Sequence, residues 1–93
     1  MAHSDCLFCK IVAGELPAMI VAEDERTIAF MDINPATRGH ALVIPRAHTR
    51  DLYAVDPDDL AAVAVAAQQL ATKARDNLGA DGVNLMNFNG AAA

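Results

Sequence analysis

The chain has no tryptophan, one tyrosine and three phenylalanines, so aromatics supply only 4% of its 93 residues. The 54% apolar fraction is inflated by alanine, which adds little core volume. A chain this short forms one small domain and buries only about 60–65% of its unfolded surface, which leaves a thin stability margin. Cations are scarce: seven Lys and Arg face twelve Asp and Glu, for a net charge of −5. That balance argues against binding nucleic acid through backbone phosphates. No apolar run approaches the about 18 residues of a membrane span. The opening residues 1–5 lack the basic region and apolar stretch of a secretion signal, which fits a cytoplasmic protein. Histidine occurs only at His3, His40 and His48, and cysteine only at Cys6 and Cys9. Two cysteines at C-x-x-C spacing suit a reducing compartment and metal binding better than a structural disulfide.

Local patterning gives an α+β order. Residues 5–13 read as a short helix capped by Asp5, with Leu7, Phe8, Ile11 and Val12 at helical spacing. Gly14 ends it and Pro17 prevents its return. Residues 19–22 and 27–33 read as two strands around the acidic turn Glu23-Asp24-Glu25, and residues 41–45 as a third. Asp56 then caps a long helix with Pro57 as its first residue and Asp58 and Asp59 in its first turn, where the helix dipole favours negative charge. Leu60, Val63, Ala67, Leu70, Ala74 and Leu78 form its apolar stripe, and Gly79 supplies a left-handed residue past its end. Residues 84–88 alternate weakly and read as a fourth strand. The expected architecture is a meandering antiparallel sheet with one main helix on a face.

The most informative stretch is 30–48, FMDINPATRGHALVIPRAH. Asp32 sits where an apolar strand gives way to a turn marked by Asn34-Pro35 and Arg38-Gly39, and His48 lies just beyond the next strand. Strand ends of this kind commonly hold ligands. Three blocks, Cys6-Leu7-Phe8-Cys9-Lys10-Ile11, Phe30-Met31-Asp32-Ile33-Asn34-Pro35 and Gly39-His40-Ala41-Leu42-Val43-Ile44-Pro45-Arg46, resemble the histidine triad family in its branch of small dimeric nucleotide phosphoramidases. With the helix after them they cover nearly the whole chain, as a single domain over 1–93. The motif that names the family, His-x-His-x-His, is absent. The leading expectation is that the natural chain continues past Ala93 into the strand that carries it. On that expectation the domain is C-terminally incomplete, its sheet keeps an extra unpaired edge, and no catalytic residue lies within the 93.

The resemblance implies a purine nucleotide site. Asp32 would accept hydrogen bonds from both ribose hydroxyls, since a charged acceptor facing neutral donors makes strong bonds; its alternative is a turn-capping role. Leu7, Phe8, Ile11, Phe30 and Ile33 would wall the base, although an apolar stripe is core more often than pocket. Asn87 and Asn89 share a face by parity and lie near the position of a family asparagine beside phosphate or ribose. Cys6, Cys9 and His48 resemble the family's structural zinc set, whose fourth ligand comes from the triad. Here it would come from His3, water or another chain. The alternative is a pair of packed thiols; a redox C-x-x-C is disfavoured, since the preceding strand of a βαβ unit is missing. His40 reads as a structural histidine, and Arg38 and Arg46 as solvent-facing cations.

A complete relative would be a hydrolase. Its central histidine would attack the α-phosphorus of a nucleoside phosphoramidate or related conjugate, forming a nucleotidyl-histidine that water resolves. The 93 residues lack that nucleophile. A non-catalytic nucleotide-binding module and a zinc-stabilised interaction module therefore stand as alternatives. The family also implies a homodimer through the alanine-rich helix.

Overall fold

The structure is a computed structural model that describes residues 6–32 and 39–91. Its elements follow the order α1 (Leu7–Val12), β1 (Ile20–Glu23), β2 (Thr27–Met31), β3 (Ala41–Pro45) and α2 (Pro57–Leu78). The three strands form one antiparallel sheet in the order β1-β2-β3. This is the expected α+β meander with one main helix. Asp5, His3, Ile33, the Asn34-Pro35 turn and Arg38 lie outside the described residues.

The centre of the domain is β2. Thr27, Ile28, Ala29 and Phe30 are all buried, because this strand is flanked by β1 and β3 and covered by α2. β2 pairs with β3 in unbroken register from Thr27 opposite Pro45 to Met31 opposite Ala41. Its pairing with β1 is interrupted between Ile20 and Ala22, where Val21 is the extra residue of a bulge. Bulges of this kind bend an edge strand and discourage pairing with other chains.

The β1–β2 turn is organised by one carboxylate. Asp24 Oδ1 accepts the backbone N–H groups of Arg26 (2.9 Å) and Thr27 (2.8 Å) and the Thr27 hydroxyl (3.0 Å). These donors, the Arg26 amide foremost and then the Thr27 amide, hold the Asp24 carboxyl below its usual range. Arg46 closes the same turn from the end of β3. Its Nε donates to the Asp24 carbonyl at 2.6 Å and its Nη2 lies 3.6 Å from Glu23. Arg46 is thus a turn-fastening residue rather than the solvent-facing cation expected, because the β2–β3 register carries it alongside the hairpin.

The α2 helix begins and ends where the sequence marks it. Asp56 caps it by accepting the amides of Asp58 (2.8 Å) and Asp59 (3.4 Å), and Gly79 ends it at φ +68°. Val63, Ala67, Leu70 and Ala74 of the expected stripe are partly covered by the sheet, whereas Leu60 and Leu78 at its ends are exposed. Arg26 joins the hairpin turn to this helix, its Nε and Nη2 each 2.9 Å from Asp59 Oδ1.

Two expectations are corrected. The α1 helix is shorter than 5–13, and its N-cap is Cys6, whose sulfur accepts the Cys9 amide at 3.5 Å. A sulfur at that position meets the orphan amide that a carboxylate at residue 5 was expected to satisfy. Residues 84–88 form no strand. Strand character needs a ladder partner, and among the described residues this stretch joins no sheet edge. Both parities are exposed as a result: Leu85 is 77% and Phe88 71% accessible.

Candidate metal centre and nucleotide site

The candidate residues fall into two neighbourhoods. In the first, the C-x-x-C spacing at the start of α1 sets two sulfurs on one turn, and the chain leaving β3 brings His48 to them. The Cys6 and Cys9 Sγ atoms and a His48 ring nitrogen all lie within 4.8 Å of one another. The tightest contact is Cys9 Sγ to His48 Nδ1, at 3.1 Å. Cys9 is buried, Cys6 half-buried and His48 exposed, so the group opens to solvent on its imidazole side.

This cluster lies along an open cleft of about 220 Å³ between α1, the loop after β3, α2 and residues 87–89. The apolar walls include Phe8, Val12, Val55 and Val63, and the polar rim includes Arg46, Asn87 and Asn89. Asn87 and Asn89 do come together: the Asn89 amide donates to Asn87 Oδ1. Asn89 Oδ1 in turn accepts the Leu52 amide at 2.8 Å, which fastens this stretch to the loop after β3.

The second neighbourhood sits at the ends of β2 and β3. Asp32 follows β2 and His40 precedes β3. The Asp32 amide donates to the His40 carbonyl at 3.1 Å, continuing the ladder by one step. The same register sets Asp32 Oδ2 3.5 Å from His40 Nε2. Both side chains are partly covered, at 23% and 30% accessible. The His40 contact escaped the sequence reading, which treated that histidine as structural. The missing signal was register: once Met31 faces Ala41, residues 32 and 40 must be neighbours.

Of the expected base walls, Phe30 is buried (4% accessible) with its ring 6.0 Å from that of Phe8. Phe8 bridges the two neighbourhoods, touching Phe30 and also lining the cleft. Leu7 is exposed and Ile11 half-buried; neither they nor Asp32 line the cleft.

The HIT domain signature matches residues 13–93 of the chain. The chain belongs to the histidine triad family. It is 42% identical over 88 residues to an uncharacterised HIT-like protein of Methanocaldococcus jannaschii, a match covering 95% of this chain and 67% of that protein. Adenylylsulfatase HINT3 of Arabidopsis thaliana is 37% identical over 98% of the chain and 46% of its own length. Among solved structures, a zinc-bound histidine triad family protein of Mycobacterium smegmatis superposes with a TM-score of 0.83 at 47% identity, covering 86% of this chain and 58% of that one. The first curated relatives are thus spanned over 61–67% of their length.

The donor set fits zinc. Two thiolates and an imidazole are its preferred ligands, and tetrahedral bonds of 2.0–2.3 Å put donors roughly 3.5 Å apart. Among the described residues the group has three members.

Proposed function

We propose that this chain is the nucleotide-gripping portion of a histidine triad hydrolase. Asp32 holds the ribose of a purine nucleotide, and Leu7, Phe8, Ile11, Phe30 and Ile33 flank the base. Asn87 and Asn89 would serve the phosphate side from the neighbouring cleft. The observation that carries this reading is the half-covered Asp32 carboxylate, held by the β2–β3 ladder beside His40. An ionised acceptor spared full burial makes charge-assisted bonds to sugar hydroxyls at a lower desolvation cost than a buried one.

In the whole protein the substrate is a nucleotidyl conjugate, a phosphoramidate or a mixed anhydride, cleaved through a nucleotidyl-histidine. The family membership and the adenylylsulfatase relative support that class. None of His3, His40 and His48 falls in a His-x-His-x-His pattern, so this chain's own residues bind and orient rather than attack. Cys6, Cys9 and His48 would hold a structural zinc. Held there, it would tie α1 to the loop after β3 as a structural ion, leaving the chemistry to the protein's side chains. We read the protein as cytoplasmic and as a homodimer that packs through the alanine-rich α2.

The test is titration calorimetry with adenosine monophosphate. Asp32→Asn removes the charge and keeps the shape, and should weaken binding about 10- to 100-fold, the worth of one to two charge-assisted bonds. An unchanged affinity in a variant with native circular dichroism refutes the sugar-gripping role. The Cys-Cys-His group favours a second reading, a zinc-stabilised interaction module, which predicts stoichiometric zinc and no nucleotide heat.

A further inference from the structure

We propose that Cys6 and Cys9 are a reversible thiol switch: a peroxide closes them into a disulfide, and closure withdraws both sulfurs from the metal. The proposal rests on the metal reading of the same group for its consequence, but not for the bond itself.

The geometry already favours the bridge. Cys6 caps α1 and Cys9 sits one turn on, with its amide 3.5 Å from Cys6 Sγ. The sulfurs lie within 4.8 Å, and they are not bridged to each other. Residues three apart on one helical turn have α-carbons about 5–6 Å apart, inside the range a disulfide spans. Bond formation needs side-chain rotation and no change in the path of the chain.

Burial assigns an order to the two sulfurs. Cys6 is half-buried and Cys9 buried, so a small oxidant meets Cys6 first. Sensor cysteines share this arrangement, an accessible sulfur beside a resolving one. In the first step the Cys6 sulfur attacks the peroxide, the O–O bond breaks, and Cys6 sulfenic acid and one water form. In the second step the Cys9 sulfur attacks Cys6 and the S–O bond breaks. The S–S bond forms, and the sulfenic oxygen leaves as a second water carrying the Cys9 proton. Two electrons pass from the sulfur pair to one peroxide. A disulfide offers no thiolate to a metal, so the three-donor group is reduced to His48.

The experiment uses the full chain, stripped of metal and, separately, loaded with zinc. Hydrogen peroxide is added, and intact mass, thiol titration and zinc release to a chromophoric chelator are followed together. Closure predicts loss of two hydrogens from the mass, loss of both thiols, and full reversal by dithiothreitol. The zinc-loaded chain should release one ion per bridge formed. In Cys9→Ser, dimedone should trap a sulfenic acid at Cys6. Cys6→Ser should react roughly tenfold more slowly or less. A mass gain from sulfinic acid, a bridge between two chains, or thiols that persist in the wild type overturns the proposal, whatever the variants do. A reduced chain that takes up no zinc yet still closes its bridge overturns the metal reading and leaves the bridge intact.

Discussion

Breaking the Arg26–Asp59 pair should loosen the hairpin from the helix by a measurable and salt-dependent amount. Both Nε and Nη2 of Arg26 lie 2.9 Å from one carboxylate oxygen. The Asp59 side chain is only 15% accessible, while that of Arg26 is 50% accessible. Fully exposed pairs couple by about 0.2–1 kcal/mol. Doubled contact and a mostly covered acceptor put this pair at the top of that range, near 1 kcal/mol, with solvent around Arg26 preventing more. In a domain of this size such a loss lowers Tm by about 4–8 °C. Single substitutions alone mislead, because removing the Asp59 charge also costs the first turn of α2 its favourable dipole partner. A double-mutant cycle of Arg26→Met and Asp59→Asn cancels that contribution. The backbone bonds of Arg26, to Asp24 Oδ1 and from the Arg46 amide, survive the substitution. Urea unfolding at 0.05 M and about 1 M salt is the assay. The coupling should fall by more than half at high salt, where the Debye length is about 3 Å. A coupling below roughly 0.3 kcal/mol at low salt, or one indifferent to salt, would show that the pair does not hold the turn against the helix.

Two further expectations concern the turn and the cap. The folded chain holds Asp24 below its unfolded pKa, so the unfolded chain binds more protons and stability rises with pH. The Asp24 contribution is present above the unfolded value and is lost as pH falls through the folded one. Acid unfolding followed by circular dichroism should show a flatter acid limb in Asp24→Asn, and an identical limb would refute the assignment. Gly79→Ala places a β-carbon on a residue at φ +68° and should cost about 1 kcal/mol by thermal melts, although no neighbour stands within 4 Å of it.

The legible elements were those specified by local chemistry. The bounds of α2 follow from Asp56, Pro57 and Gly79, each of which acts on its own few neighbours. The run at 41–45 is apolar and β-branched enough to be a strand in any context. The start of α1 was misread because Asp5 is the better capping residue by type, whereas the sulfur of Cys6 occupies the position. Residues 84–88 were misread because alternation describes a face and not a partner. The same gap hid the contact between Asp32 and His40, and the fastening role of Arg46, both of which depend on how β2 aligns with β3. The Cys6, Cys9 and His48 grouping was legible only by resemblance, since 39 positions separate Cys9 from His48 and no local rule connects them.

The bared side chains of Val83, Leu85, Met86 and Phe88 lie in a chain whose sheet also ends on β3, a strand with its outer rim unladdered among the described residues. Exposed apolar side chains and an unpaired strand rim in one molecule are the combination that draws polypeptides into clumps. With a net charge of only −5 to keep molecules apart, dilute, low-temperature handling should decide whether concentrated samples stay clear.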